Sequence, residues 1–125
     1  QRAEKRRQHW QHIAESACEQ SGRTQPPLID APIALNAWFG ARDTAQTTEL
    51  ILQPGVATAL TAIDRPPARL RFLIGPEGGF SEREIEDAAI AGFSAVAIGP
   101  RVLRTETAAL AAVCIAQSQW GDIQA

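Results

Sequence analysis

LIGPEGGFSEREI (residues 73–85) and AVAIGPRVLRTETAALAA (residues 95–112) decide how this chain is read. Each contains a short apolar run, Phe72-Leu73-Ile74 in the first and Ala95-Val96-Ala97-Ile98 in the second, and each run leads into Gly-Pro. Apolar runs without polar alternation suit strands buried on both faces, as in a parallel sheet covered by helices. Ligands of open α/β sheets sit beyond the carboxyl ends of such strands, so the two Gly-Pro loops are expected to form one pocket.

Between the runs lies a well-marked helix. Ser81 can cap it, Glu84 stands three residues later at capping-box spacing, and Gly92 is placed to end it. Its acidic first turns (Glu82, Glu84, Glu86, Asp87) match the helix dipole and read as a solvated face. The loop Gly75-Pro76-Glu77-Gly78-Gly79 has the backbone freedom to approach a ligand closely, and a tight turn without a ligand is the other reading. It lacks the spacing of a dinucleotide or P-loop motif, and Glu77 would repel a phosphate, so a neutral or cationic ligand fits it better. After the second run, Arg101, Arg104 and Glu106 lead into Ala108–Ala116, which is apolar all round. A helix with that composition is expected to be buried on most sides, by its own core or by a partner subunit. Charges leading into it are either paired or functional.

I-G-P-E-G-G-F-S-x-x-E (residues 74–84) followed by I-G-P-R-V-L-R-T-E-T-A (residues 98–108) resembles the signature of the ribosomal RNA small subunit methyltransferase E family, within the SPOUT class of trefoil-knotted methyltransferases. An upstream block, A-C-E-Q-S-G-R-T-Q-x-P from Ala17 to Pro27, is similar to a further family element. The resemblance implies an α/β fold: a parallel sheet with flanking helices and a deep trefoil knot in its C-terminal part, with Gly99–Thr107 threading past the loop at Gly75–Gly79. It implies binding of S-adenosyl-L-methionine by Leu52 and Pro54, by Ile74, Gly75, Glu77 and Gly79, and by Ile98, Gly99, Val102, Leu103 and Thr107. Glu77 would face the sulfonium or the ribose, or instead pack against a loop N–H.

The implied reaction is methylation of N3 of a uridine in 16S ribosomal RNA by a cytoplasmic homodimer. An imide nitrogen is a poor nucleophile until deprotonated, and cations fixed near the ring oxygens lower that cost. Arg104 is the first candidate for this role and Arg23 the second, with Glu106 orienting an arginine or accepting the proton. Both arginines have a structural alternative, pairing with Glu106 or Glu19. The other classes considered are a different SPOUT activity, such as ribose 2′-O-methylation, and a non-enzymatic interaction module.

The rest of the chain bounds these expectations. Its 125 residues, 45% apolar and 21% charged, suit one globular domain spanning residues 1–125. A net charge of −2 provides no global attraction to nucleic acid, so RNA binding requires a local basic patch or another part of the protein. No apolar run approaches the ~20 residues that span a bilayer. Cys18 and Cys114, both in apolar helical patterns, read as buried free thiols of a reducing compartment. His9 and His12 have no further ligand nearby and read as helix-surface residues rather than a metal site.

Residues 2–22 read as an amphipathic helix with Trp10, Ile13, Ala14, Ala17 and Cys18 on its apolar face and Gly22 as its stop. It opens on Arg2, Lys5, Arg6 and Arg7, either an RNA contact or a solvated helix end, with no cap and no initiator methionine. The chain is therefore expected to be part of something longer. The resemblance implies that a PUA-like RNA-binding domain and the first strand–helix–strand of the methyltransferase domain precede it. A short strand or helix is expected near Ile33–Trp38, strands at Leu50–Leu52, Leu70–Ile74 and Ala95–Ile98, and helical turns within Val56–Ile63. Asp64–Pro67 reads as a linker, and the last helix as Thr105–Trp120.

Overall fold

The computed structural model describes residues 2–64 and 68–123, so Arg65–Pro67 of the expected linker lie outside the described residues. Two compact units are present, residues 1–41 and 42–125.

The second unit is built on strand β1 (Thr47–Leu52), which pairs in parallel on both edges. On one side lies β2 (Arg69–Leu73), with Leu50 opposite Phe72, and on the other β3 (Ser94–Val96), with Ile51 opposite Ala95. The expected parallel sheet is thus present, in the order β2-β1-β3. The two quoted runs form its edges and, apart from the buried Val96, are only partly buried, whereas Leu50, Ile51 and Leu52 are all buried. A strand between two neighbours and two covering layers loses all its solvent-facing surface; an edge strand does not.

Side chains alternate along β1, so Leu50 and Leu52 share one face. There they form the core with Leu60, Val96 and Ala112. Ala112 belongs to α4 (Thr105–Trp120), which lays Ala108, Ala112 and Ile115 onto this face at the three- and four-residue spacing of a helix stripe. The expected helical turns within Val56–Ile63 reduce to one 3₁₀ turn, Leu60–Ala62. It is positioned by Leu60 N–H donating to Ala97 O at 3.0 Å.

α4 is not buried on most sides: Leu110 is 73% exposed, Val113 and Cys114 are also exposed, and Ala112 is its one fully buried residue. One face of the helix meets the sheet, and among the described residues of this unit Leu110, Val113 and Cys114 on the other stay exposed. The expected burial of Cys114 is corrected for the same reason; Cys18 is buried as expected.

The opposite face of β1 carries Glu49, and its partners place α3 (Glu82–Ala91) on that side. Arg42 donates to both Glu49 carboxylate oxygens, at 2.5 and 2.8 Å, and to the Ala91 carbonyl at 2.8 Å at the end of α3. Its guanidinium also lies 5.3 Å from the centre of the Phe93 ring. Arg71, in register with Glu49 on β2, donates to the same carboxylate at 2.7 Å. α3 itself carries the expected reciprocal cap: Glu84 N–H donates to Ser81 Oγ at 3.1 Å, and Ser81 N–H to Glu84 Oε1 at 2.8 Å. Gly92 ends it at φ 109°, where a side chain would be strained.

In the first unit, α1 (Arg2–Ser21) and a short α2 (Leu35–Ala41) are joined by a chain that returns along α1. The face of α1 that this segment covers overlaps the expected apolar one only at Ala14 and Cys18. Gln11 donates to Pro27 O at 2.8 Å and accepts from Ile29 N–H at 2.7 Å, and Arg7 donates to Ile29 O at 3.4 Å. Trp10, Ile13 and Ala17 remain exposed, leaving Cys18 as the buried member of the predicted stripe. An irregular segment presents backbone donors and acceptors, and these select the polar Gln11–Arg7 flank of the helix over an apolar one.

Removing Glu49 takes away the buried carboxylate that Arg42, whose side chain is 5% exposed, and Arg71 both bind. Glu49→Ala is expected to destabilise the fold by about 3–5 kcal/mol in chemical denaturation. The Arg42 hydrogen bonds hold the Glu49 carboxyl below its ordinary value of 4.5. That contribution is complete above the unfolded-state pKa and is lost as pH falls through the lower folded-state value. Wild-type stability should therefore fall more steeply below about pH 4.5 than that of Glu49→Gln, measured by denaturant titrations across pH.

Candidate functional site

All three strands run the same way, so β1, β2 and β3 deliver Leu52, Leu73 and Val96 to one edge of the sheet. The segments leaving that edge surround a cleft. Its walls are Leu52–Pro54, Ile74–Glu77 with Gly79 and Phe80, and Ala97–Gly99 with Arg101–Leu103; Thr105 and Ala108 of α4 close it. Its enclosed volume is about 100 Å³, the inner part of a cleft that opens to solvent.

Local chemistry shapes both loops. Gly79 N–H donates to Pro76 O at 2.8 Å, closing a turn around Glu77 that needs φ 77° at Gly79. A Cβ at Gly75 would stand 3.1 Å from the Phe80 ring, so glycine there lets that ring lie against the backbone. In the second loop, Gly99 turns the chain at φ 76°. A hydrogen bond ties the first loop to the start of α4, Thr105 Oγ1 donating to Gly75 O at 2.9 Å.

The cleft wall is mixed. Leu52, Ile74, Ile98 and Leu103 are apolar and at least partly shielded, while Glu77 and Arg101 stand exposed as its two charged members. Gln53 adds a further polar group. Its side-chain Nε2 is buried with no hydrogen-bond partner among the described residues. A buried amide donor of this kind costs about 1–3 kcal/mol if it stays unsatisfied.

Of the eleven residues expected to bind a cofactor, Leu52, Pro54, Ile74, Gly75, Glu77, Gly79, Ile98, Gly99, Val102 and Leu103 line this cleft and Thr107 does not. At about 100° per residue, the first turn of α4 directs Thr105 and Ala108 inward and Thr107 outward. The same phase affects the proposed catalytic pair. Arg104 is the N-cap residue of α4, exposed and outside the cleft lining, and Glu106 is likewise exposed and outside it. Arg23 belongs to the other unit, just beyond α1, where its N–H donates to Cys18 O at 3.0 Å. Neither Arg104 nor Arg23 has a carboxylate within ion-pair distance among the described residues, so the Glu106 and Glu19 pairings do not form.

Gln53, Pro76, Phe80, Ala97, Arg101, Thr105 and Ala108 also line the cleft and were not among the residues expected to do so. A long amide at the carboxyl end of an aliphatic strand was the available signal for Gln53. Thr105 and Ala108 were findable only from the phase of α4. Among the described residues, no cluster of three potential metal ligands occurs and no helix is long and apolar enough to cross a membrane. His9 and His12 are both exposed.

Residues 1–117 match the family described as the RNA methyltransferase domain. The ribosomal RNA small subunit methyltransferase E of Buchnera aphidicola (from Schizaphis graminum) is 37% identical over 119 residues, which cover 95% of this chain and 48% of that protein. The Bacillus subtilis protein of that name is 33% identical over 119 residues, covering 90% of this chain and 46% of its own length. The chain thus spans about half the length of these curated relatives. A Neisseria gonorrhoeae ribosomal RNA small subunit methyltransferase E, solved bound to S-adenosyl methionine, superposes with a TM-score of 0.91 at 43% identity, over 99% of this chain and 52% of that one. A Legionella pneumophila protein assigned as a methyltransferase, in complex with bound SAM, superposes with a TM-score of 0.89 at 37% identity, over 98% and 50%. With the two glycine loops, the parallel sheet and the cleft they share, these matches show that the chain belongs to the RNA methyltransferase domain family, alongside the ribosomal RNA small subunit methyltransferases E.

Proposed function

We propose that this chain holds the S-adenosyl-L-methionine site of an enzyme that methylates N3 of a uridine in 16S ribosomal RNA. One observation carries the reading: two glycine-hinged loops meet around a single cleft whose wall contains an unsatisfied amide donor, Gln53 Nε2. The residues fit the cofactor. Leu52, Ile74, Ile98 and Leu103 offer apolar walls to adenine, and the strand ends offer backbone donors and acceptors. Gln53 supplies a hydrogen bond to a ring nitrogen or a ribose hydroxyl. Glu77 and Arg101 suit a ligand that carries both a sulfonium and a carboxylate. Bound there, the cofactor supplies an electrophilic methyl group and needs no metal.

The chain's own work is placement and charge. In-line alignment of nucleophile and methyl removes much of the barrier to such a transfer. Loss of the imide proton spreads negative charge onto the two ring oxygens of uracil, and Arg104 donates to that charge. Glu106 orients the arginine or accepts the proton, and Arg23 serves as a second cation. The family's knot is part of this proposal, with Gly99–Thr107 threading past the Gly75–Gly79 loop; the Thr105 to Gly75 hydrogen bond supports it. So is a cytoplasmic homodimer acting on the small ribosomal subunit, with RNA methylation requiring the full-length protein.

Calorimetry with S-adenosyl-L-methionine, on this chain and on the full-length protein, tests the cofactor site. Gln53→Leu is expected to raise the Kd about tenfold, the value of one net hydrogen bond. Arg101→Ala is expected to weaken cofactor binding. In the full-length protein, Arg104→Ala should leave cofactor affinity unchanged and lower kcat by about 10²–10³. A kcat within a few-fold of wild type would remove Arg104 from the mechanism. Mass spectrometry of the product nucleoside identifies the methylated atom, and a 2′-O-methyl product would overturn the N3 assignment.

A further inference from the structure

Cations in this chain divide into those consumed by carboxylates and those left over. Arg7, Arg42, Arg69, Arg71 and Arg83 each form an ion pair. Arg2, Lys5, Arg6, Arg23, Arg101 and Arg104 form none among the described residues. Arg101 and Arg104 flank the cleft already described. Three of the rest are gathered in the first two turns of α1.

There Arg2, Lys5 and Arg6, followed by His9, stand at spacings of three, four and seven, which puts them on one side of the helix. All four are exposed. Glu4, the one carboxylate among residues 2–12, does not neutralise them. It is held by Arg7 at 2.8 Å and by Gln8 at 3.4 Å. Arg7 also reaches Ile29 O, so this pair is turned toward the returning chain. Trp10 continues the line, four residues beyond Arg6, and is 41% exposed in this chain, which spans about half the length of its relatives.

A basic row ending in an open aromatic ring, within a chain of net charge −2, is a selective attraction for a polyanion that also presents flat faces. Single-stranded RNA has both features, whereas a duplex keeps its base faces stacked. We infer that the Arg2–Lys5–Arg6 face of α1 binds single-stranded RNA, its cations on successive phosphates and one unpaired base on the Trp10 indole. This rests on the RNA-methylating reading above and adds a binding surface to it.

The test uses the full-length protein, a short unstructured RNA oligonucleotide and a duplex of the same sequence, with filter binding across a salt series. The triple variant Arg2→Ala/Lys5→Ala/Arg6→Ala is expected to bind the single strand more weakly. It should flatten the plot of log affinity against log salt by about 2, since each single-strand phosphate contact contributes about 0.7. Trp10→Ala should weaken binding about fivefold or more at unchanged slope, and Trp10→Phe should restore it. Unchanged calorimetric binding of S-adenosyl-L-methionine shows that each variant is folded. An unchanged slope and affinity in the triple variant overturns the surface, as does equal binding of strand and duplex with no effect of Trp10→Ala. A changed sedimentation mass with unaltered RNA affinity makes the face a protein interface and also overturns it. A wild-type protein that transfers no methyl group to RNA defeats the functional reading; one that methylates RNA with these cations removed and the slope unchanged defeats only this inference.

Discussion

β1 is paired in parallel on both edges, and this one constraint organises the second unit. Parallel neighbours cannot be joined by tight hairpins, so each return to the sheet costs a crossover. The segment between β1 and β2 contains the 3₁₀ turn, and that between β2 and β3 contains α3. The gain is that every strand ends at the same edge. Gln53-Pro54, the Gly75–Phe80 loop and the Ala97–Leu103 loop are remote in sequence, yet they emerge side by side and enclose a cleft without further design.

The two ends of the sheet do different work. At the amino end, Glu49 collects Arg42 and Arg71 and, through Arg42, the last carbonyl of α3. Removing charges from water is costly, and it is tolerated here because the carboxylate accepts from two guanidinium groups with several well-directed bonds. That end is committed to holding layers together. The carboxyl end leaves polar groups uncommitted: an amide donor at Gln53 and two exposed charges, Glu77 and Arg101. Ligands recruit groups that the fold has not already satisfied.

The helical phase of α4 decides which residues of the RTET stretch look into the cleft. Thr105 is held inward by its bond to the Gly75 carbonyl, which also ties the first loop to the start of α4. Arg104, Glu106 and Thr107, its neighbours in sequence, point elsewhere. A cation beside the cleft rather than in it suits a role toward a second, larger substrate. This is why the proposed roles of Arg101 and Arg104 differ.

Much was legible in the sequence because it is local. The Ser81–Glu84 capping box, the stop at Gly92, the bounds of α4 and the pairing of two glycine loops each depend on a few consecutive residues and their backbone preferences. Local signals could not rank the strands: Phe72–Ile74 and Ala95–Ile98 look as apolar as Leu50–Leu52, and only pairing makes β1 central. Nor could they show that the returning chain would cover the Gln11 flank of α1 and leave Trp10 open, that Cys114 would face outward, or that Thr105 rather than Thr107 would line the cleft. Composition and periodicity determine which elements form. Which face of each element is covered depends on residues far away in the chain, and tertiary packing alone brings those residues together.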